Sequence, residues 1–252
     1  GPGEMIGVNL LQQKLYHDHA PKDSLASERP YAAWVEKTIL LREVVQQRRS
    51  KKRVPLPPQT LLQHQRAAGL TMEFVETIIH PMAVDGKEAV GSMGDDAPMA
   101  VLSHEVRPFH HYFRQNFSQV TNPPIDPLRE KRVMSLKTRF GNDGNFLALD
   151  HSHSEILLAE TPVLLGHELA AIAQHFKKRV TRIDTLFALD AGEDALRAGL
   201  NRIVREAELA VAKGRSFLLL SDEGVDAQHA AIPMILAIAA VQGHLVKKKL
   251  RK

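Results

Sequence analysis

The last third of the chain alternates runs of strand length with runs of helix length, and this order constrains the fold more than any other feature. Residues 180–187 and 216–220 are β-branched or apolar runs that predict strands. Apolar side chains at helical spacing predict a helix between them, before Gly214: Leu196, Leu200, Ile203, Val204, Ala207 and Val211. A further apolar helix is predicted over about residues 227–246. Strands joined through helices are parallel, so we predict an α/β fold, as an incomplete parallel β/α barrel-like structure or an open sheet.

Shorter patterns predict a helical N-terminal part. In chain order they indicate a strand at residues 5–10 and helices at residues 31–49, at residues 60–68 before Gly69, and from Thr71 to Pro81. The basic and then proline-rich residues 50–58 are typical of a linker. We therefore predict a strand, a helix and a linker in residues 1–58 and an α/β central domain in residues 59–252, within one globular unit.

The middle of the chain changes character at residues 80–98, where glycines and aspartates replace large apolar residues and predict a loop. Residues 99–103 then predict a buried strand, and residues 109–119 predict a helix. The prolines at 123 and 124 cannot continue that helix, because neither has an amide donor. Asp126 followed by Pro127 predicts the start of the next helix.

Composition excludes several classes of site and partner. The 252 residues include no cysteine, so this chain can hold no disulfide, thiolate zinc site, iron–sulfur cluster or cysteine nucleophile. No apolar run approaches the roughly 20 residues that cross a bilayer, and no signal peptide is visible, so we predict no membrane partner. The net charge of +4 comes mainly from basic runs at residues 48–53 and 247–252. No aromatic stacking platform accompanies these runs, so we predict no nucleic-acid partner.

Histidines are numerous but do not form a metal-site pattern. The 13 histidines include the adjacent pair His110 and His111, whose side chains would point apart on a helix. His151 and His153 could share one face of a strand, but no third ligand is indicated. We predict no metal site and no catalytic residue.

Two loops carry side chains that could form a site. The first loop combines glycines with polar residues and lacks the phosphate-binding P-loop pattern; its candidates are Asp85, Lys87, Ser92, Asp95 and Asp96. A long irregular segment of this kind usually faces a partner or a ligand rather than the core. The second loop, Ser221-Asp222-Glu223-Gly224, follows a predicted parallel strand, where α/β folds place ligand-binding loops. Ser221 and Asp222 are therefore a candidate strand-end site, although the same residues make an ordinary polar turn.

Two long segments carry a family resemblance. PMAVDGKEAVGSMGDDAPMAVLS at residues 81–103 and YFRQNFSQVTNPPIDPLREKRVMSL at residues 112–136 resemble the central region of the glutamate synthase large (alpha) subunit. The opening GPGEM, the run Arg29-Pro30-Tyr31 and the segment FLLLSDEGVDAQHAAIPMILAIAAVQGHL at residues 217–245 agree in the same order. The resemblance covers nearly the whole chain.

The resemblance implies a non-catalytic domain of a larger enzyme. The family converts glutamine, 2-oxoglutarate and reductant to two glutamates, using FMN, an iron–sulfur cluster and NAD(P)H or ferredoxin as donor. Its large subunit places a central domain between a glutaminase domain and a flavin-binding synthase domain, and a small electron-donor subunit or ferredoxin supplies electrons. By this resemblance the segment binds no cofactor itself and is inactive alone. The implied location is the cytoplasm, or a plastid in a photosynthetic eukaryote.

The resemblance also assigns a role to the proline-rich bend. In the family, the threonine, asparagine and isoleucine of the T-N-P-P-I run help to line a tunnel that carries ammonia between active sites. Those positions are Thr121, Asn122 and Ile125 in this chain. An enclosed passage excludes water, which would otherwise protonate or dilute ammonia. The alternative is that Thr121 and Asn122 only form a turn between two helices.

Two other classes of function stay open from the residues alone. One is a free-standing α/β enzyme that binds a phosphorylated ligand or flavin at the loop after Leu220. The other is a nucleic-acid-binding protein that uses the two basic runs.

Overall fold

The structure, a computed structural model, describes residues 4–46, 55–86, 89, 100–104, 107–113, 126–141, 147–148, 150–154 and 156–251. The chain divides into two compact units, one formed by residues 1–50 and 127–179, the other by residues 51–126 and 180–252. The predicted α/β class is confirmed: the described residues form small open sheets with helices and no closed barrel. The predicted boundary at residue 58 stays a prediction.

Nine strands lie in the described ranges: β1 Ile6–Asn9, β2 Lys14–His17, β3 Ile39–Leu40, β4 Thr138–Gly141, β5 Ile156–Ala159, β6 Val180–Asp184, β7 Leu186–Ala188, β8 Phe217–Ser221 and β9 His229–Ala231. The same ranges hold ten α-helices: α1 Ala20–Ser27, α2 Tyr31–Val35, α3 Leu41–Gln46, α4 Pro58–Ala67, α5 Met72–Phe74, α6 His80–Asp85, α7 Pro127–Val133, α8 Gly166–His175, α9 Ala195–Ala212 and α10 Met234–Lys247. A π-helical turn, Val75–Ile79, joins α5 to α6.

The first unit has its core around the central strand of a three-stranded sheet. The strand order is β3-β5-β4, with β3 parallel and β4 antiparallel to β5. Leu157 and Ala159 of β5 are fully buried, and Ala171 and Ile172 of α8 are buried beside α3. A separate antiparallel hairpin, β1–β2, confirms the strand predicted near residue 6 and packs on α1.

The helix predicted over residues 31–49 is wrong as a single element. It divides into α2, β3 and α3, and residues 47–49 lie outside the described residues. The Oγ1 of Thr38 donates a hydrogen bond to the Ser154 carbonyl at 3.2 Å, and Ile39 pairs with Leu157. Tertiary pairing of this β-branched stretch overrides the helical spacing of its apolar residues.

The second unit confirms the parallel strand pair of the last third. β6 and β8 are parallel, with Val180 opposite Phe217 and Asp184 opposite Ser221. The amphipathic helix α9 lies between them in sequence, and Gly214 follows it with φ +77°. The buried residues of this core come from β6, α9, α10 and the residue after β9: Ile183, Ile203, Ala207, Ile232, Ala237, Val241 and Leu245.

Residues 180–187 form two strands rather than the predicted one. β7 leaves β6 at Thr185 and pairs antiparallel with β9. Thr185 is fully buried, and both its N–H and its Oγ1 donate to the Ser221 carbonyl, at 2.9 and 3.1 Å. Its own carbonyl accepts from the N–H of Ile232 at 2.8 Å. Because the chain changes direction at Thr185, the buried N–H, Oγ1 and carbonyl of this residue all form hydrogen bonds.

The last helix begins later than predicted. Residues 227–246 were expected to be helical throughout, but α10 begins at Met234, directly after Pro233. The preceding residues form a turn at Asp226 and the strand β9. Proline has no amide donor, so it is tolerated at the start of α10 and not within it.

The predicted helix from Thr71 does not end at Pro81. Thr71 caps its beginning, since the Thr71 Oγ1 accepts from the Phe74 N–H at 3.1 Å. The wider π-helical turn precedes Pro81, and the helix continues to Asp85 before Gly86, whose φ is +61°. A π-turn is a known way to accommodate a residue that disturbs the regular ladder of hydrogen bonds.

Four further elements differ in outcome. Helix α4 confirms the prediction that precedes Gly69. The predicted buried strand at residues 99–103 is wrong where it is described, because Val101 and Leu102 lie in an exposed turn. Of the helix predicted over residues 109–119, the structure has a short 3₁₀ helix, Phe109–Tyr112, and residues 114–119 lie outside the described residues. The helix predicted after Asp126 is confirmed as α7.

Gly199 provides a test of the packing between α9 and β7. A Cβ at Gly199 would lie 3.1 Å from the Phe187 Cβ and 3.2 Å from the Ile232 Cδ1, whereas a Cβ at Gly243 of α10 would meet no neighbour. We expect Gly199→Ala to lower the free energy of unfolding by about 1–3 kcal/mol through overpacking. Gly243→Ala is the matched control and should raise it by about 0.5–1 kcal/mol, because alanine favours helices. Urea unfolding measures both, and equal stabilisation by the two substitutions would contradict the packing described.

Candidate functional site

An open groove of about 690 Å³ lies beside the ends of β6 and β8 in the second unit. The helix α9 contributes three small residues to its lining, Ala195, Ala198 and Gly199. Charged or titratable side chains also line it: Asp184, Arg202, Glu223, Asp226 and His229. This is the strand-end position at which α/β folds commonly bind ligands, so the partners of each polar group decide whether a ligand can bind there.

The guanidinium group of Arg202 donates hydrogen bonds to other groups of the protein. Its Nη2 donates to the carbonyls of Asp184 and Leu186, both at 2.8 Å. Its Nη1 donates to the Glu206 carboxylate, one turn further along α9, at 2.9 Å. The side chain therefore ties α9 to the link between β6 and β7.

Arg182 is the second arginine at this end of the sheet. Its Nη1 donates to the Glu223 carboxylate at 2.8 Å, and its Nη2 lies 3.9 Å from the Asp184 carboxylate. Arg182 and Asp184 are about half exposed and Glu223 is 77% exposed, so the two pairs contribute little net stabilisation, and only the pair with Glu223 reaches the loop after β8.

The turn before β9 is organised by one carboxylate. The Asp226 Oδ1 accepts from the backbone N–H groups of Gln228 and His229, at 2.8 and 2.7 Å. It also lies 2.9 Å from the Nδ1 of His229, which donates in the appropriate tautomer. The backbone N–H of Gln228 and then the His229 side chain hold the pKa of Asp226 below its ordinary value of 3.8.

The charges of the groove do not favour a phosphate or a flavin phosphate. Carboxylates of Asp184, Glu223 and Asp226 share the lining. The guanidinium groups of Arg182 and Arg202 already contact carboxylates or carbonyls. An incoming anion would have to displace these contacts and approach three carboxylates, which raises its free energy in the groove.

The predicted strand-end residues hold the turn rather than line the groove. The carbonyl of Ser221 accepts from Thr185, and its Oγ accepts from the Glu223 N–H at 3.3 Å. Asp222 is exposed beside it. The groove begins at Glu223 and Gly224, the next residues of the predicted loop.

Sequence reasoning missed most of the groove lining. Asp184 could have been found, because it ends the first parallel strand as Ser221 ends the second. Arg202, Asp226 and His229 gave no comparable signal, since the first lay within an amphipathic helix and the last fell in a segment predicted to be helical.

Most other predicted site residues lie outside the described residues. These are Thr121, Asn122 and Ile125 of the bend and Lys87, Ser92, Asp95 and Asp96 of the loop. Asp85 is described: it is the last residue of α6 and is exposed. The structure therefore does not bring Asp85 together with Ser221 and Asp222 in one described site.

The described ranges contain neither a metal-site cluster nor a membrane-spanning helix. Within them, no three or more His, Asp or Glu side chains are placed to share a metal ion. None of the described helices combines the length and the apolar character that a bilayer span requires.

Comparison with known proteins identifies the family. The family model described as glutamate synthase central domain matches residues 63–252. The chain belongs to this family. The match confirms the resemblance drawn from the motifs of residues 81–103 and 112–136.

The relatives of this central domain are large glutamate synthase chains. The chain is 51% identical over 253 residues to the glutamate synthase [NADPH] large chain of Azospirillum brasilense, a match that covers 100% of this chain and 17% of the relative. It is 39% identical to ferredoxin-dependent glutamate synthase 2 of Synechocystis, covering 99% and 16%, and 37% identical to the chloroplastic ferredoxin-dependent enzyme of Spinacia oleracea, covering 100% and 16%. The chain thus spans about a sixth of the length of these relatives.

The turn at Asp226 yields a pH-dependent prediction. Because its folded pKa is depressed, the Asp226 charge stabilises the fold above its unfolded pKa, and this contribution is lost as the pH falls through the folded pKa. Asp226→Asn should therefore lower the melting temperature near neutral pH, with a difference from the original chain that shrinks below about pH 4. Asp222→Asn removes the same charge from an exposed neighbour and should change little. Equal effects of the two substitutions in thermal melts across pH would contradict this role.

Proposed function

We propose that this central domain is a non-catalytic part of a glutamate synthase, which converts glutamine, 2-oxoglutarate and reductant to two glutamates. The family match over residues 63–252 carries the proposal, together with the small share of each relative that the chain covers. The domain connects the glutaminase and flavin synthase domains of its parent chain. It thereby serves nitrogen assimilation in the cytoplasm, or in a plastid.

The electron-transfer groups belong to the rest of the parent enzyme. The names of the relatives include an NADPH-dependent enzyme and ferredoxin-dependent enzymes. We assign FMN and an iron–sulfur cluster to the synthase domain, and NAD(P)H with a small subunit, or ferredoxin, as donor. This chain has no cysteine to ligate such a cluster.

The use of polar groups in the strand-end groove supports a structural role. A ligand site requires side chains that exchange their bonds with water for bonds with the ligand. Here Arg202 donates to two carbonyls, Ser221 holds Thr185 and Glu223, and Asp226 organises the turn before β9. The groups that would recognise a ligand instead stabilise the backbone.

We further propose that Thr121, Asn122 and Ile125 line the ammonia passage of the parent enzyme. Support comes from the sequence: the prolines at 123 and 124 stiffen the backbone, and the flanking threonine and asparagine offer hydrogen bonds to a small neutral guest. The glycine-containing loop with Asp85, Lys87, Ser92, Asp95 and Asp96 contacts a neighbouring domain. Asp85 marks where this loop leaves the helix α6.

The isolated chain provides the first test. Purified residues 1–252 should show no release of ammonia from glutamine and no glutamate formation from 2-oxoglutarate with NADPH or reduced ferredoxin. The intact parent enzyme, assayed in parallel, is the positive control. Turnover of either reaction by the isolated chain would contradict the scaffold role.

The passage is tested by a leak assay in the intact enzyme. Ile125→Trp should obstruct the passage, so that glutamine hydrolysis continues while less of its ammonia becomes glutamate. We expect the ratio of ammonia released to glutamate formed to rise by about tenfold, a change that corresponds to a free-energy difference of about 1.4 kcal/mol. Ile125→Val preserves an aliphatic wall and should leave the ratio unchanged. An unchanged ratio in Ile125→Trp, with both partial activities intact, would contradict the passage.

A further inference from the structure

The outward face of the hairpin β1–β2 exposes three large apolar side chains and one histidine, His17, which stands opposite Ile6 in the register. Val8 stands directly opposite Leu15 in the register, and their exposed fractions are 63% and 54%. Ile6, two residues before Val8 and therefore on the same face, is 75% exposed. We call Ile6, Val8 and Leu15 the outer face of the hairpin.

The opposite face of the hairpin is already covered. Gly7 and Tyr16 are paired in the register and are partly buried. A Cβ at Gly7 would lie 3.5 Å from the Pro21 side chain of α1. The ammonium group of Lys14 lies 4.8 Å from the centroid of the Tyr16 ring. The hairpin therefore packs by its inner face only.

The turn of the hairpin is ordered and presents two more apolar side chains. The Asn9 Oδ1 accepts from the N–H groups of Leu11 and Gln12, at 3.1 and 3.0 Å, and Gln13 completes the turn with φ +51°. Leu10 and Leu11 stand at its tip, and Leu11 is 99% exposed. Turns usually carry polar residues, so two leucines held on an ordered tip extend the apolar outer face.

The comparisons bear on which part of the protein covers the outer face of the hairpin. The central-domain family model begins at residue 63, yet the relatives align with 99–100% of the chain, the hairpin included. The residues of the hairpin therefore fall within the matches to the relatives but outside the part matched by the central-domain model. About five sixths of the length of each relative lies outside this segment.

We propose that the outer face of the hairpin, with Leu10 and Leu11, is a docking surface for an apolar surface of the adjoining part of the same glutamate synthase polypeptide. A two-stranded hairpin is marginal in water by itself, and burial of its second face would complete a layered structure. His17 is the one titratable side chain of β1 and β2 on this face, and the three apolar side chains beside it require an apolar partner surface. This inference rests on the proposed place of the chain within a longer synthase.

Hydrogen exchange in the intact synthase tests the docking surface. We expect the backbone N–H groups of residues 6–17 to exchange at least about tenfold more slowly in the intact enzyme than in the isolated 252-residue chain. The double substitution Val8→Lys with Leu15→Lys should return exchange in the intact enzyme to the rate of the isolated chain. Leu102→Lys, which places the same charge on an exposed turn, should leave residues 6–17 protected.

The isolated chain separates a lost docking surface from a broken hairpin. Because Val8 and Leu15 are exposed there, the double substitution should leave its melting temperature and exchange unchanged. Equal exchange rates of residues 6–17 in the intact enzyme and the isolated chain would overturn the proposal. Self-association of the isolated chain, abolished by the double substitution in sedimentation, would overturn it in favour of a second copy. The leak assay at Ile125 does not involve the hairpin, so failure of the docking surface and failure of the passage are distinguishable.

Discussion

The second unit depends on one buried polar residue, Thr185, which links its two described strand pairs. The Thr185 N–H and Oγ1 donate to Ser221 at the end of β8, and its carbonyl accepts from Ile232 just after β9. Water cannot replace these bonds, because Thr185 is fully buried, and each unmet partner would cost about 1–3 kcal/mol. The bend at Thr185 joins the parallel pair β6–β8 to the antiparallel pair β7–β9, and α9 packs beside it through Gly199.

The same bend determines what the strand-end groove can do. It turns the carbonyls of Asp184 and Leu186 toward α9, where Arg202 binds both. In a ligand-binding α/β fold, groups at this edge would face the ligand. Here they hold the link between two strand pairs, which agrees with a family of central domains whose relatives are about six times longer than this chain. The hairpin in the first unit exposes Ile6, Val8 and Leu15, which we propose contact a neighbouring part of the parent enzyme.

The sequence predicted elements whose residues show a clear apolar periodicity. It missed elements whose structure depends on hydrogen bonds to residues far away in the chain. Helix α9 and the parallel pair β6–β8 followed from apolar periodicity. The division of residues 180–187 into β6 and β7 did not follow from this periodicity. Thr185 is β-branched and therefore fits a continuous strand, and only its hydrogen bonds to Ser221 and Ile232 reveal the bend. The strand-end loop was placed at Ser221, but Arg202 was missed, since its bonds to carbonyls leave no trace in residue types. The passage residues were predicted from motif resemblance alone.

We propose that this segment is a scaffold whose proline-rich bend lines a passage between other domains. The most direct measurement is a density map of the intact glutamate synthase in which side chains are resolved. The account predicts that Thr121, Asn122 and Ile125 border an enclosed passage that runs from this segment into a neighbouring domain. It would be contradicted by a map that places these three side chains within the interior of one unit, away from every surface that a neighbouring domain covers.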